Sequence, residues 1–383
     1  MFRQIFCFAK NNSNIVDAKK PKRNSNLELL RIIAMIMIVM HHFGVYGVGY
    51  GYGNSMTDYF NAVITSFGKV GVVLFMMISA YFLCDRPVKR SRIISVWLKT
   101  LIFSVTIAAL IKLFLPSVIP DGSSLLFNFL PISTCRYWFV TAYIFVLVIS
   151  PLLNMIIEKL SKNQLRHYLL FFAIVWGVIY TFTDIQALFS GFLELAFVYV
   201  LTAYLKRYYK LKTKRYYMFA VLFLLLCHLV SAGLGLFLPE AWQIKLHFNA
   251  PLHFVYSMYP VVLFLSIEIF LLFLTLKPRY NTKVNYISSL TFDVYLVHEH
   301  VYARNFFWKL LFAYHPGWPL IVKIPYTIFA VIAVYTLCSM IGLVYKYTLF
   351  KFVEKMKLVE EIGKLTDKAV VVLDRRIDDE EVN

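Results

Sequence analysis

Runs of mostly apolar residues recur along this chain from Leu29 to Phe350. Each is near the ~20 residues that an α-helix needs to cross a bilayer. That pattern leaves few folds open. Soluble domains are about half apolar and a quarter charged, whereas this chain of 383 residues is 60% hydrophobic and 16% charged. The expected class is all-α: a polytopic helical bundle in lipid. Spans are expected at about 29–48, 61–84, 93–115, 136–157, 168–186, 190–205, 216–238, 251–276, 286–302 and 319–350, ten in all. The flanking pieces are a basic segment over 1–28 and a charged tail over 351–383.

The formal charge of +18 has two readings, a nucleic-acid surface or the cytoplasmic loops of a membrane protein. Its distribution decides. Lys plus Arg in successive connections, from the N-terminal tail onward, number 6, 0, 4, 0, 3, 0, 6, 1, 3, 2 and 7. The alternation places both termini in the cytoplasm, which requires an even number of spans. Membrane lipid is the expected partner, and nucleic acid is not. In the tail, Val353, Met356, Val359 and Ile362 fall at helical spacing, so a short helix on the membrane surface is expected. The N-terminal apolar stretch Ile5–Ala9 is too short for a signal peptide. There is no repeat and no second globular domain. Cys7, Cys84, Cys135, Cys227 and Cys338 form neither a disulfide framework nor a zinc pattern. No Gly-rich phosphate loop occurs.

Ionisable groups inside spans are costly and tend to mark function. Arg31 lies just inside the first span and His42 follows eleven residues later. Eleven residues advance a helix by ~16 Å and turn it through three turns plus about 20°, so the two share a face. Arg31 alone can equally be a snorkelling anchor, and His42 a hydrogen-bonded packing histidine. His298 is twelve residues into the ninth span, ~18 Å deep, with Glu299 and His300 further out. Lys69 is eight residues into the second span, ~12 Å below the outer face, between Gly68 and Gly71. His42, Lys69 and His298 therefore fall in one layer, which suggests acid–base chemistry at a buried hydroxyl. His228 reaches a similar depth without a second ionisable group and reads as packing. Glu268 could pair with Lys99 or with Arg31. No H-E-x-x-H or comparable spacing accompanies His41-His42 or His298-x-His300, so no metal is expected.

Four segments carry a family resemblance. Leu29-Leu30-Arg31 through His42 matches an arginine, ten residues, then a histidine. Gly71 through Ser79-Ala80-Tyr81-Phe82 resembles Gly-Val-x-x-Phe-x-x-x-Ser-Gly-Tyr/Phe, with Ala80 where glycine is usual. Tyr137-Trp138-Phe139 to Pro151 and Asn154 is similar to Trp-Phe-x-x-x-Tyr…Pro-x-x-Asn, and Val294-Tyr295-Leu296-Val297-His298 to a late Tyr-Leu-x-His. Together, over about 25–350, they resemble the acyltransferase 3 family of bacterial membrane O-acyltransferases.

The resemblance implies transfer of an acyl group, with acetyl as the first candidate. The donor would be cytosolic acetyl-CoA, acting as co-substrate. The acceptor would be a sugar hydroxyl on a surface polysaccharide or its lipid-linked precursor, at the bacterial plasma membrane. It implies His42 as the catalytic histidine and Arg31 as its partner toward the donor. The basic loop of Arg86, Lys89, Arg90 and Arg92 would meet coenzyme A phosphates, or is plain positive-inside charge. Lys69 or His298 would polarise the carbonyl or orient His42. Trp138 and Tyr143, near the outer end of the fourth span, could stack on sugar, or belong to the interfacial aromatic belt. The competing class is a transporter or flippase for a glycan or lipid-linked sugar, which intramembrane charges also suit.

Overall fold

The computed structural model describes residues 23–48, 55–86, 88–119, 122–179, 191–237, 259–315 and 317–366. The basic residues Lys19, Lys20 and Lys22, the ends of several expected spans and the tail beyond 366 lie outside them. The described residues are helical and contain no strand. In chain order the helices are α1 (Ser25–His42), α2 (Met56–Leu83), α3 (Arg90–Phe114), α4 (Trp138–Lys159), α5 (Lys162–Ala173), α6 (Gly191–Tyr208), α7 (Lys214–Phe237) and α8 (Pro260–Leu274). There follow α9 (Thr282–Ser288), α10 (Thr291–His298), α11 (Val301–Asn305), α12 (Leu320–Tyr347) and α13 (Leu349–Lys355). Single π-helical segments extend α1 (Phe43–Val48), α5 (Ile174–Ile179) and α11 (Phe306–Leu311).

Six stretches are long and apolar enough to cross a membrane: Ser25–Val48, Met56–Leu83, Arg90–Phe114, Trp138–Lys159, Lys214–Leu234 and Leu320–Lys355. These make the chain a polytopic all-α bundle. Of the other expected spans, 190–205 corresponds to α6, and 168–186 and 251–276 are described only in part, as α5 with its π-helical turn and as α8. The ninth departs most, because the stretch expected as one helix is three: α9, α10 and α11. The tail departs too. Its helical spacing is broken at Lys357, whose φ is +52°, so α13 ends before a second short helical stretch begins.

Local chemistry explains the helix ends. Asn24 caps α1 by accepting from the Asn26 amide, and Ser55 with Asp58 forms a reciprocal capping box on α2. Pro151 inside α4 cannot donate to the Leu147 carbonyl, and the Ser150 hydroxyl donates there instead at 2.8 Å. Such substitution is required where water is absent.

Helix α2 is the hub, packing against α1, α6, α7 and α8. Its approach to α1 is backbone-close: a Cβ on Gly71 would stand 2.6 Å from the Ala34 carbonyl oxygen. In lipid, where apolar burial gives little drive between helices, such small-residue contacts do the packing. Two polar ties hold α1 against the ninth-span region. The Ser25 hydroxyl donates to Asn285 Oδ1 at 2.8 Å, and the Ser288 hydroxyl to buried Glu28 at 2.5 Å.

The pairing expected for Glu268 does not form. Lys99 pairs with Asp293, and Arg31 with Glu28 at 2.6 Å. Spacing along α3 and α8 gave no view of Asp293, which α10 carries to Lys99. Asp293 is buried while Lys99 is partly exposed, so removing the carboxylate loses the pair but leaves a charge that reaches solvent, a smaller cost than for a fully buried pair. Asp293→Ala is therefore expected to lower the thermal unfolding midpoint of purified protein, measured against wild type in the same detergent.

The topology has a native reporter. Cys135 is exposed and lies in the Lys/Arg-free connection before α4, which the charge alternation assigns to the outside. A membrane-impermeant maleimide is expected to label it in intact cells. Labelling only after permeabilisation would reverse the orientation.

Candidate active site

The site forms where two helices end. His42 is the last residue of α1, and His298 the last of α10. Their rings meet, with His42 Nδ1 2.8 Å from His298 Nε2. The layer expected from depth is thus a direct contact, although the ninth span is not one helix. Helix C-termini favour positive charge, and α10 ends at His298, whereas α1 runs on past His42 into its π-helical turn.

The hydrogen-bond pattern sets the tautomers. His298 Nδ1 lies 2.5 Å from the Val294 carbonyl. A carbonyl can only accept, so that nitrogen carries the hydrogen. In neutral His298, Nε2 then holds a lone pair and accepts from His42 Nδ1–H. This leaves the lone pair of His42 on Nε2. No hydrogen bond to that nitrogen is present among the described residues, and the residue keeps 6% of its surface exposed. A positioned imidazole with an accessible lone pair is the requirement for a general base.

Glu299, buried beside His298, supplies the third group. Its Oε2 lies 3.2 Å from His42 Nδ1. Its Oε1 accepts from the Tyr46 hydroxyl at 3.3 Å and faces Arg304 at 3.9 Å. Arg304 in turn donates to the Tyr46 oxygen at 2.6 Å. Tyr46 sits in the π-helical turn after α1 and stacks on His42, centroids 5.5 Å apart. Such π turns often mark functional sites. A carboxylate against the far nitrogen of a catalytic histidine orients the ring and stabilises its imidazolium.

Glu299, Tyr46 and Arg304 did not stand out as site residues in the sequence. The adjacency of Glu299 to His298 was the only signal for the first. His42, His298 and Glu299 also offer donor atoms within 4.8 Å of one another, close enough to share a cation.

The other expected residues are distributed around this centre. Lys69 on α2 places its ammonium over the Trp138 ring, 5.1 Å from the centroid. Its neighbour Gly68 lies directly against the His41 ring. Arg31 lies near the opposite end of α1 from His42, held by Glu28. The face the two were expected to share is real: Glu28, Met35, Ile38 and His42, at helical spacing with Arg31, are buried.

In the basic loop, Arg86, Lys89 and Arg92 are exposed and Arg90 is half-buried. Asp85 beside them is held by Lys206 at 2.6 Å, and that contact lowers its carboxyl below the usual range. Tyr143, expected as a possible sugar contact, is buried on α4. Its hydroxyl accepts from Arg92 at 3.2 Å, because Arg92 at the start of α3 reaches across to α4. Trp138 heads α4 and engages Lys69. His228 packs as expected, its Nε2 2.8 Å from the Ser66 hydroxyl.

Two clefts among the described residues are lined by other side chains. One of about 320 Å³ is lined by Ser95, Lys99, Asp293, Lys346 and Glu354 among others, and one of about 570 Å³ by Ala108, Lys112, Asn128 and their neighbours.

No curated protein and no solved structure matches the chain. The family model Acyl_transf_3, an acyltransferase domain, matches residues 24–343. That range takes in His42, Lys69, Trp138, His298, Glu299 and Arg304, and the chain belongs to the acyltransferase 3 family of membrane acyltransferases.

Proposed function

We propose that this chain is an O-acyltransferase of the bacterial plasma membrane. It takes an acyl group, acetyl in the first instance, from cytosolic acyl-CoA. It delivers that group to a hydroxyl of a surface polysaccharide or its lipid-linked precursor. The observation that carries the reading is His42, held at Nδ1 by His298 and Glu299 with Nε2 left open.

In the proposed reaction the acceptor hydroxyl attacks the thioester carbonyl as His42 Nε2 takes its proton. The tetrahedral intermediate then collapses, the carbon–sulfur bond breaks, and the departing thiolate of coenzyme A takes the proton back from the imidazolium. Glu299 offsets the positive charge while it lasts. Lys69 on α2 would polarise the carbonyl oxygen. Arg31, Arg86, Lys89, Arg90 and Arg92 would receive the phosphates of coenzyme A, with Tyr143 positioning Arg92. Trp138 would offer an aromatic face to the sugar.

His42 could instead carry the acyl group briefly. The two routes differ in one observable, an acetyl adduct on a His42 peptide after rapid quench. The test of the whole reading is release of free coenzyme A thiol by purified protein given acetyl-CoA and bacterial glycan acceptors. Mass spectrometry of surface polysaccharide with and without the gene is the companion measurement. No thiol release above a protein-free control, together with unchanged polysaccharide, would overturn it.

A further inference from the structure

Two imidazoles and a carboxylate, brought from distant stretches of chain, converge at the end of α1. His42 Nδ1, His298 Nε2 and a Glu299 oxygen lie within 4.8 Å of one another, all on buried side chains. This donor set suits divalent ions of the zinc class. The surroundings are those of a ligand sphere. His298 Nδ1 is on the Val294 carbonyl at 2.5 Å, the outer contact that in metal sites turns a histidine's other nitrogen toward the ion.

Glu299 divides its two oxygens. Oε1 faces Tyr46 and Arg304. Oε2 is buried without a hydrogen bond, 3.2 Å from His42 Nδ1. A buried carboxylate oxygen lacking a hydrogen bond is uncommon and calls for a reason. We propose that His42, His298 and Glu299 form a reversible, inhibitory binding site for a divalent transition-metal ion of the zinc class.

Two of the three donor separations are already near ligand spacing, and the third lies within 4.8 Å. Tetrahedral ligands at about 2.0–2.1 Å from zinc stand roughly 3.3 Å apart. The His42–His298 separation of 2.8 Å therefore opens by about 0.5 Å to reach that spacing. The His42–Glu299 contact, already at 3.2 Å, scarcely changes. Water completes the sphere. The ion occupies His42 Nδ1, so the hydrogen held there moves to Nε2. No proton is gained or lost, but Nε2–H is now a donor and cannot take a proton from a hydroxyl. The ion silences the base by changing its tautomer. Arg304, 3.9 Å from Oε1, opposes the added charge and keeps the ion exchangeable.

The inhibition rests on the reading of His42 as the base, whereas the binding rests on the donor geometry alone. The test therefore separates them. Purified full-length protein, freed of metal with EDTA, is titrated with Co²⁺ and followed by its visible absorption. Saturation at one equivalent is expected, with displacement by Zn²⁺. His298→Ala and Glu299→Gln should each weaken binding by at least roughly 10- to 100-fold. A double His167→Ala, His315→Ala variant, which removes exposed histidines, should bind as wild type.

X-ray absorption of the Zn²⁺-loaded wild type needs no variant to fold and should report two imidazoles and oxygen. Zn²⁺ should also stop coenzyme A release, and EDTA restore it. Absence of saturable binding, a zinc sphere without imidazole, or affinity indifferent to His298→Ala would overturn the site. Stoichiometric Co²⁺ binding by a protein that releases no coenzyme A would support the site and count against the transferase reading. Active protein that binds no Co²⁺ would do the reverse.

Discussion

His42→Ala is expected to abolish acyl transfer while leaving expression and membrane insertion near wild type. Loss of a general base costs a factor of roughly 100 to 10,000 in rate. Insertion of α1 is driven by its Ile, Met, Val and Leu residues, so the protein should accumulate normally. The neighbouring histidine provides the control. His41 turns about 100° away from the His42 face, and its Nδ1 is 2.5 Å from the Thr65 carbonyl. His41→Ala should loosen the contact between α1 and α2 yet retain most activity per folded molecule. Arg31→Lys should fall between them, because lysine keeps the charge but loses the planar fork. Acetylation assayed at matched protein levels ranks the three. Full activity in His42→Ala would sink the catalytic assignment.

Glu299→Gln should be nearly as damaging. Gln is almost the same size, so packing is spared and the loss isolates the carboxylate. In serine-protease triads the equivalent Asp→Asn change drops turnover by about 10,000-fold, largely through the wrong histidine tautomer. Here the tautomer is set mainly by His298, whose Nε2 receives the His42 Nδ1 hydrogen. The expected loss is therefore the charge contribution, on the order of 100- to 1,000-fold, comparable with removing one preorganised electrostatic group. The double variant His42→Ala, Glu299→Gln should be no slower than His42→Ala alone, because groups acting as a unit are not additive. A double variant slower than either single change would place Glu299 on a separate task.

Much of this was legible in the sequence, for reasons that mark where legibility stops. Apolar runs and alternating Lys/Arg made the bundle readable, since lipid leaves the backbone few alternatives. Helical rise placed His42 and His298 at one depth, and they do touch. Glu299 was read only as lying further out than His298. Glu299 caps the helix that ends at His298, and its carboxylate reaches the same partner, His42. Helical periodicity does not describe a helix end. Asp293 was missed for a related reason: its partner Lys99 is on another helix, and nothing local announces the pair.

The ties at the start of α1 fix a length. Ser25 and Glu28 are bonded to Asn285 and Ser288, and each strand of that knot then runs on to a histidine, one through α1 and one through α10. The two stretches are rulers with a common zero. Apolar residues along them can be exchanged for others of similar size without changing where the rulers end. A single residue inserted or deleted between Ser25 and His42 would turn the imidazole by about 100° and shift it by about 1.5 Å. Among relatives of this chain, the interval between knot and histidine should therefore tolerate substitution freely and indels not at all. Length variation should collect instead in the connections beyond the histidines.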